Sequence, residues 1–326
     1  MKLPRPFVES RYFQFSSLSE LKKALEGMDE PSFAEMHRLD SLQLPPIANA
    51  QVLATMFGIN PGIIWSFVTR PQQHYRSFSI PKGNGVRNID APRVALKVLQ
   101  KWLSIRFQEA YSPPSHVFGF IPGSSHVKAA AIHCGAQWVF SIDVQNFFPT
   151  TPFGLVESSL ASLGFNNQTS ILLAQLCCLH GFLAQGAPTS PVLSNLCFGA
   201  IDAKLAEFSQ KYNVRLSRYA DDIVFSGIGA FPEGLKEESI GLFVGSPWCL
   251  AEGKIEFSSL PDRLKVHGLL VHGETVRLTK GYRNKLRAYS HLIQKNAIDG
   301  ENLNKIKGHL IYGNYVANFH SIDEHS

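Results

Sequence analysis

The chain lacks most of the features that would take it outside the ordinary globular class. Its five cysteines, Cys134, Cys177, Cys178, Cys197 and Cys249, include no C-x-x-C pair, which argues against a paired-thiol zinc or redox motif. An odd count inside apolar segments points to reduced, buried thiols and a cytosolic setting. No apolar run approaches the roughly 18 residues of a transmembrane helix. The opening MKLPRPFVESRYF has no signal-peptide core. There is no low-complexity tract and no repeat of about 20 to 50 residues. Charged residues are only 17% of the chain, and the formal net charge is +5. What is present is 326 residues, 44% of them hydrophobic, enough for one large domain or two modest ones packed together.

The small positive charge is unevenly placed. Residues 1–253 carry 20 Lys and Arg against 19 Asp and Glu, whereas residues 254–307 carry 11 against 5. A basic segment of this kind suits contact with a phosphate backbone, although charge alone equally allows a solvated helix face.

Periodicity and turn chemistry give an α+β layout. Residues 17–40 read as helical behind a Ser cap, and 51–70 as two short helices broken at Asn60-Pro61-Gly62. Residues 75–92 read as a hairpin and 93–111 as an amphipathic helix. Residues 138–143 start a strand, helices follow to about 183, and a loop at 186–189 leads into a helix capped near Thr189 or Ser190. A second hairpin covers VRLSRYADDIVFSG, short strands cover 263–278, and 280–312 is helical. Strands and helices alternate without strict βαβ order.

Four stretches carry chemistry. In SIPKGNGVRNI, Asn84-Gly85 signals a two-residue hairpin turn, which would set Lys82 opposite Arg87. Two cations across a ladder repel, and a shared polyanion such as a triphosphate would reverse the sign. In FSIDVQNFF, Asp143 ends a strand, a position for a helix cap or a metal ligand, and Phe148 follows as a core aromatic by default. In RYADDIVF, Asp221 and Asp222 stand together between β-formers; buried side by side they need a cation, and hard divalent ions take such oxygen ligands. If the strands at 138–143 and 223–226 pair, Asp143 joins them as a three-carboxylate set. In LAQGAPTSPVLSNL, Gln185, Ser190 and Asn195 sit in a Gly/Pro-stiffened loop and helix start that could flank a nucleotide. Each stretch alone has an ordinary reading as a solvated turn, cap or connection. Their fixed order, with a basic segment after them, makes that reading improbable for the set.

Taken together these boxes resemble the reverse transcriptases. RYADD resembles the Y-x-D-D box, FSIDVQNFF the box of the first catalytic aspartate, QGAPTSPVLSN the Q-G-x-P-x-S-P-x-L-S-N box of bacterial members, and IPKGNGVRNIDAP the fingers hairpin. The resemblance covers residues 75–290 and is greatest to the bacterial retron type, through HVFGFIPGSS, VKAAAIHCG with His133 at a signature histidine, and VHGLLVHGETVRLTKGYRNKLRA. Two residues depart from that pattern: Ala129 replaces a signature Asn and His267 the Thr of a V-T-G segment.

The resemblance implies a right-hand polymerase with an N-terminal helical region (1–74), fingers and a ferredoxin-like palm (75–262) and a short helical thumb (263–326). It implies that Asp143, Asp221 and Asp222 hold two Mg²⁺ ions, with Mn²⁺ as a possible substitute. Lys254 would protonate the leaving pyrophosphate. Lys82 and Arg87 would hold the triphosphate, Phe148 would exclude a 2′-hydroxyl, Gln185 would lie beside the nucleotide, and Tyr219 would touch the primer end. His133, Arg277, Lys280, Arg283, Lys285 and Arg287 would contact RNA or DNA. The implied partners are dNTPs, a structured noncoding RNA with its cDNA, and an effector protein, in the cytoplasm of a bacterium and away from membranes. The departures at Ala129 and His267 keep open a defence reverse transcriptase with another RNA template, and a ribonucleoprotein scaffold restraining an effector is the rival from another class.

Overall fold

In the computed structural model, which describes residues 4, 9–83, 85–295 and 300–319, the chain divides into two discontinuous compact units. One comprises Met1–Pro113 and Asn146–Ala200, the other Pro114–Gln145 and Ile201–Ser326. Each unit is thus assembled from two separated segments of the chain, and in the second β3 pairs with strands more than 70 residues further on.

The elements follow in chain order. Helices α1 (Leu18–Lys23), α2 (Glu30–Ser41), α3 (Ala50–Phe57) and α4 (Pro61–Thr69) precede a hairpin of β1 (Tyr75–Lys82) and β2 (Gly85–Pro92) and the long α5 (Val94–Ala110). Next come α6 (His126–Ala131), β3 (Trp138–Asp143), α7 (Phe153–Leu163), α8 (Asn167–Cys177), the two-residue strands β4 (Cys178–Leu179) and β5 (Phe182–Leu183), α9 (Ser190–Cys197) and α10 (Gly199–Lys211). The chain continues through β6 (Arg215–Tyr219), β7 (Asp222–Gly227), α11 (Leu235–Gly241), β8 (Glu256–Ser259), β9 (Lys265–Val266), β10 (Leu269–Leu270) and β11 (Arg277–Leu278) to α12 (Lys280–Gln294) and α13 (Gly300–Ala317).

The helices begin where the sequence places side-chain acceptors. Ser17, Asp29, Asn49, Asn60, Ser125, Asn166 and Thr279 each accept a hydrogen bond from a backbone N–H in the first turn of the helix they precede. The break between α3 and α4 is made by Gly58, whose φ of +61° ends one helix, and by Asn60-Pro61, which starts the next. Among the described residues no single helix is long and apolar enough to cross a membrane; α3 and α4 reach that length only as a pair bent by 119°.

In the first unit the stacked rings of Phe13 and Phe57, 3.9 Å apart, meet the edge of Trp102, and Trp102 Nε1 donates to the Ser10 carbonyl. Gln100, fully buried, donates to Tyr75 Oη and to the Leu176 carbonyl, tying β1 to α5 and α8.

The β1–β2 register differs from the expected one. Lys82 pairs with Gly85 and Arg87 with Ile80, a register shifted from the Lys82–Arg87 pair expected of an Asn84-Gly85 turn; Asn84 itself lies outside the described residues. Gly83 supplies the positive φ, +57°. Lys82 and Arg87 therefore share a face as diagonal neighbours, which eases their repulsion without separating them.

The second unit holds a four-stranded antiparallel sheet in the order β6-β7-β3-β8. One face presents Phe140, Ile142, Leu216, Arg218, Ile223 and Phe225, all buried. The alternate residues, Val139, Ser141 and Asp143 on β3 and Asp222, Val224 and Ser226 on β7, lie on the other. Val139 and Val224 share a core with Val127, Leu264, Val266, Leu269, Val276 and Val316, so α6, the small β9–β11 sheet and α13 cover this second face. The segment 116–119 runs beside β6: Arg218 N–H donates to the His116 carbonyl and Phe118 N–H to the Arg218 carbonyl. Gly119 makes this approach possible, since a Cβ there would stand 2.0 Å from the Ala220 nitrogen. We therefore expect Gly119→Ala to destabilise this unit by about 1–3 kcal/mol, seen as a lowered denaturant midpoint with an unchanged slope.

Candidate active site

The carboxylates meet at one end of the sheet. Asp143, last residue of β3, pairs directly with Asp222, first residue of β7, and Asp221 precedes it in the two-residue turn after Tyr219. The backbone fixes this end: Val144 N–H donates to the Asp221 carbonyl and Ala251 N–H to the Asp143 carbonyl. Like charges directly across a ladder are unfavourable, and two neighbours answer them. Lys254 Nζ lies 2.6 Å from Asp143 Oδ2, and His267 Nδ1 lies 2.9 Å from Asp222 Oδ2. Asp221 makes no ion pair among the described residues. Burial, and after it the negative charge of Asp143, raise its pKa above the usual carboxylate value.

Three carboxylates with oxygen donors only are the chemistry a hard divalent cation requires. In this arrangement Asp143 and Asp222 are turned toward Lys254 and His267, and no group of three metal-binding side chains converges among the described residues.

The turn that carries Asp221 is held from behind the sheet. Ala220 takes a φ of +60°, a conformation costing an L-residue roughly 1–2 kcal/mol. Arg218, with no exposed surface, donates from Nη1 to the Ala220 carbonyl at 3.0 Å and grips Asp202 of α10 through Nε and Nη2 at 2.7 and 2.5 Å. His116 Nε2 is 3.3 Å from the same Asp202. None of Asp202, Arg218, His116 or Gly119 stood out in the sequence. The Arg before the Tyr of RYADD was the available signal, since a long cation inside an apolar strand needs a buried partner.

His133 is enclosed rather than available to nucleic acid. It is 0% exposed and bridges the Ser217 hydroxyl on β6 and the Ser226 hydroxyl on β7, each at 2.7 Å. Its role in this structure is to brace the two strands that carry the aspartates, which corrects the expected contact with RNA. Burial, then the charges of His267 and Arg215, push its pKa down to about 3.

The expected thumb cations divide. Arg277, Lys280, Arg283 and Arg287 are exposed, and the last three line one face of α12 at helical spacing. Tyr282, Leu286, Tyr289 and Ile293 form the opposite, half-buried face. Lys285 is not in the basic stripe; its Nζ lies 5.9 and 5.5 Å from the ring centroids of Tyr282 and Tyr289. Tyr219 is half-buried beside His267 and His126, with centroids 5.4 and 6.0 Å away.

The expected nucleotide-side residues are in the first unit. Lys82 is exposed and Arg87 half-buried on one face of the hairpin. The Gln185 carbonyl accepts from Asp90 N–H, and Gly186, with φ +134°, lies so close to β2 that a Cβ would stand 2.9 Å from Ile89 and 3.0 Å from the Asp90 carbonyl. The Gln-Gly pair thus fastens this loop to the hairpin. Ser190 and Asn195 are buried; Ser190 Oγ donates to the Ala184 carbonyl instead of facing a ligand. Phe148 is half-buried against Phe147, which belongs to the core with Phe198.

Comparison with known proteins completes the site. Residues 80–229 match the family described as "Reverse transcriptase (RNA-dependent DNA polymerase)". Over that segment the chain is similar to reverse transcriptases, and the curated relatives it matches are retron reverse transcriptases. Over 209 residues it is 34% identical to "Retron Mx65 reverse transcriptase" of Myxococcus xanthus, covering 56% of this chain and 48% of that one. It is 27% identical to "Retron Ec86 reverse transcriptase" of Escherichia coli, covering 82% and 84%, and 27% identical to "Retron Mx162 reverse transcriptase" of Myxococcus xanthus, covering 87% and 66%. The chain thus spans about half the length of the first of these relatives. The matched residues include β3, β6 and β7, the strands that hold the aspartates in this α+β architecture.

Two outcomes follow from the buried polar groups. Asp202→Ala leaves the Arg218 guanidinium buried without its carboxylate and should cost about 3–5 kcal/mol, measured by chemical denaturation. His133 stays neutral in the folded protein down to about pH 3, while in the unfolded chain it binds a proton below about pH 6.5. The unfolded state therefore gains protons first as pH falls, and stability is lost from about pH 6.5 downward. Between pH 7 and pH 5 the expected loss from this group is about 2 kcal/mol, and His133→Gln should shrink the measured pH dependence by that amount.

Proposed function

We propose that the protein is an RNA-directed DNA polymerase of the retron type, copying a structured noncoding RNA into DNA from deoxynucleoside triphosphates. The observation that carries this reading is the end of the palm sheet: Asp143 opposite Asp222, Asp221 beside it, and Lys254 2.6 Å from Asp143. In the proposed reaction a ribose or deoxyribose hydroxyl oxygen attacks the α-phosphorus of a dNTP. A phosphodiester P–O bond forms, and the bond to the β-phosphate oxygen breaks. Asp143, Asp221 and Asp222 would hold two Mg²⁺ ions, or Mn²⁺ in their place. When bound there, such ions lower the pKa of the attacking hydroxyl and neutralise charge on the triphosphate.

Lys254 would deliver a proton to the leaving pyrophosphate. Lys82 and Arg87, sharing a face of the hairpin, supply charge for the triphosphate. Phe148 would select against a 2′-hydroxyl, Gln185 would flank the nucleotide, and Tyr219 would support the primer end. Arg277, Lys280, Arg283 and Arg287 would track phosphates, and salt dependence of template affinity would follow from their number.

Retron-type synthesis begins at a 2′-hydroxyl of the RNA itself and leaves a branched RNA–DNA product. In the same reading the protein works in the bacterial cytoplasm, in antiphage defence with an effector protein. Ala129 and His267 favour a second reading with the same chemistry on a different RNA: Ala129, at the place of a signature Asn, is fully buried and offers no polar group.

The test is expression with the neighbouring genomic RNA and sequencing of the nucleic acid that copurifies. We expect branched RNA–DNA from the parent protein and RNA without DNA from Asp221→Asn and Asp222→Asn. DNA from either variant would refute the polymerase assignment. Unbranched DNA from the parent would move the reading to the second template class, and protection from phage by the DNA-free variants would favour a scaffold.

A further inference from the structure

His267 stands in the two-residue turn between β9 and β10. Val266 pairs with Leu269, and His267 and Gly268 have φ values of +49° and +81°. Positive φ at both turn positions is the geometry of a tight hairpin twisted with its strands, and His is among the few non-glycine residues enriched there. The turn delivers the imidazole to the carboxylate cluster. The side chain is 6% exposed and Nδ1 lies 2.9 Å from Asp222 Oδ2. Nε2 is buried with no hydrogen-bond partner among the described residues.

That orphan nitrogen decides the tautomer. A proton on Nε2 would be a buried donor with no acceptor, a cost of about 1–3 kcal/mol. The geometry therefore puts the ring proton on Nδ1, where it is donated to Asp222. The other oxygen of Asp222 makes no hydrogen bond among the described residues.

We propose that His267 is a positioning residue for the cation site: it fixes Asp222 through one carboxylate oxygen and leaves the other free for a divalent ion. This rests on the reading of Asp143, Asp221 and Asp222 as the cation-binding set. His267 differs in kind from Lys254. The Lys254 side chain that holds Asp143 is 52% exposed and free to move away, whereas the imidazole that holds Asp222 is enclosed and fixed by its turn. Partners that orient a metal ligand typically contribute about 10–100-fold in affinity.

The test is Mn²⁺ binding to the nucleic-acid-free protein, read from the electron paramagnetic resonance of free Mn²⁺, for the parent, His267→Gly, His267→Asn and Asp221→Asn. Glycine removes the ring while accepting the positive φ, and asparagine accepts it while keeping an N–H donor. We expect His267→Gly to weaken binding by about tenfold or more, His267→Asn to restore most of that loss, and Asp221→Asn to abolish tight binding. Parent-like binding by His267→Gly, with binding lost in Asp221→Asn, would overturn the role of His267 and leave the carboxylate reading intact. Parent-like binding by Asp221→Asn would refute the carboxylate reading itself. Equal weakening in the Gly and Asn variants would overturn the donor argument. The unmutated protein gives a check independent of variant folding: ¹⁵N shifts of His267 should report a proton on Nδ1, and a ring protonated at Nε2 alone would overturn the proposal.

Discussion

The constraint on which the second unit depends is the confinement of three carboxylates to one end of a sheet. Asp143 and Asp222 are registered directly opposite each other, and Asp221 is held in the turn beside them. No apolar packing favours such an arrangement, and mutual repulsion opposes it. It persists because the surroundings over-determine the backbone. The Val144–Asp221 and Ala251–Asp143 hydrogen bonds close the strand ends, and His133 links β6 to β7 through two serines. The same alternation of side chains that brings the acids to one face sends Arg218 to the other.

The Arg218–Asp202 pair shows what that rigidity costs. Burying two charges is expensive, and a hydrophobic pair of the same volume is often no less stable. Apolar residues could not supply the third bond of the guanidinium, however, to the Ala220 carbonyl. A hydrogen bond from a charged donor contributes about 1.5–3 kcal/mol, enough to offset the roughly 1–2 kcal/mol of a non-glycine residue at positive φ. Gly119 adds a steric wall on the same turn. The ion pair is thus better understood as fixing one backbone conformation next to Asp221 than as a source of net stability.

Much of this was legible in the residues. The helix starts carry their caps in sequence, and the pairing of the 138–143 and 223–226 strands, on which the three-carboxylate set depended, is the observed one. The failures have separable causes. Asn-Gly is the usual turn pair, but in KGNG the preceding Gly83 can also take positive φ, and the structure uses it, slipping the register. His133 carries a polar label in an Ala-rich segment, and only the fold reveals two serine hydroxyls waiting across the sheet. Lys285 belongs to a basic run in one dimension yet is rotated out of the basic face of α12 and over two tyrosine rings. The division into units was unreadable because it depends on which distant strands β3 joins.

The two cationic or donor partners of the cluster are unequal, and the inequality has a functional direction. The Lys254 side chain is 52% exposed, so its ion pair with Asp143 is screened by solvent and contributes at most about 1 kcal/mol. It is a contact that can be exchanged at small cost. His267 is enclosed, and fixed by a turn whose two positive φ values leave it little freedom. It has no comparable route away from Asp222. One face of the cluster is therefore exposed and able to change partners and the other enclosed and fixed, the asymmetry that the proposed chemistry would need in order to admit a charged substrate without loosening the carboxylates.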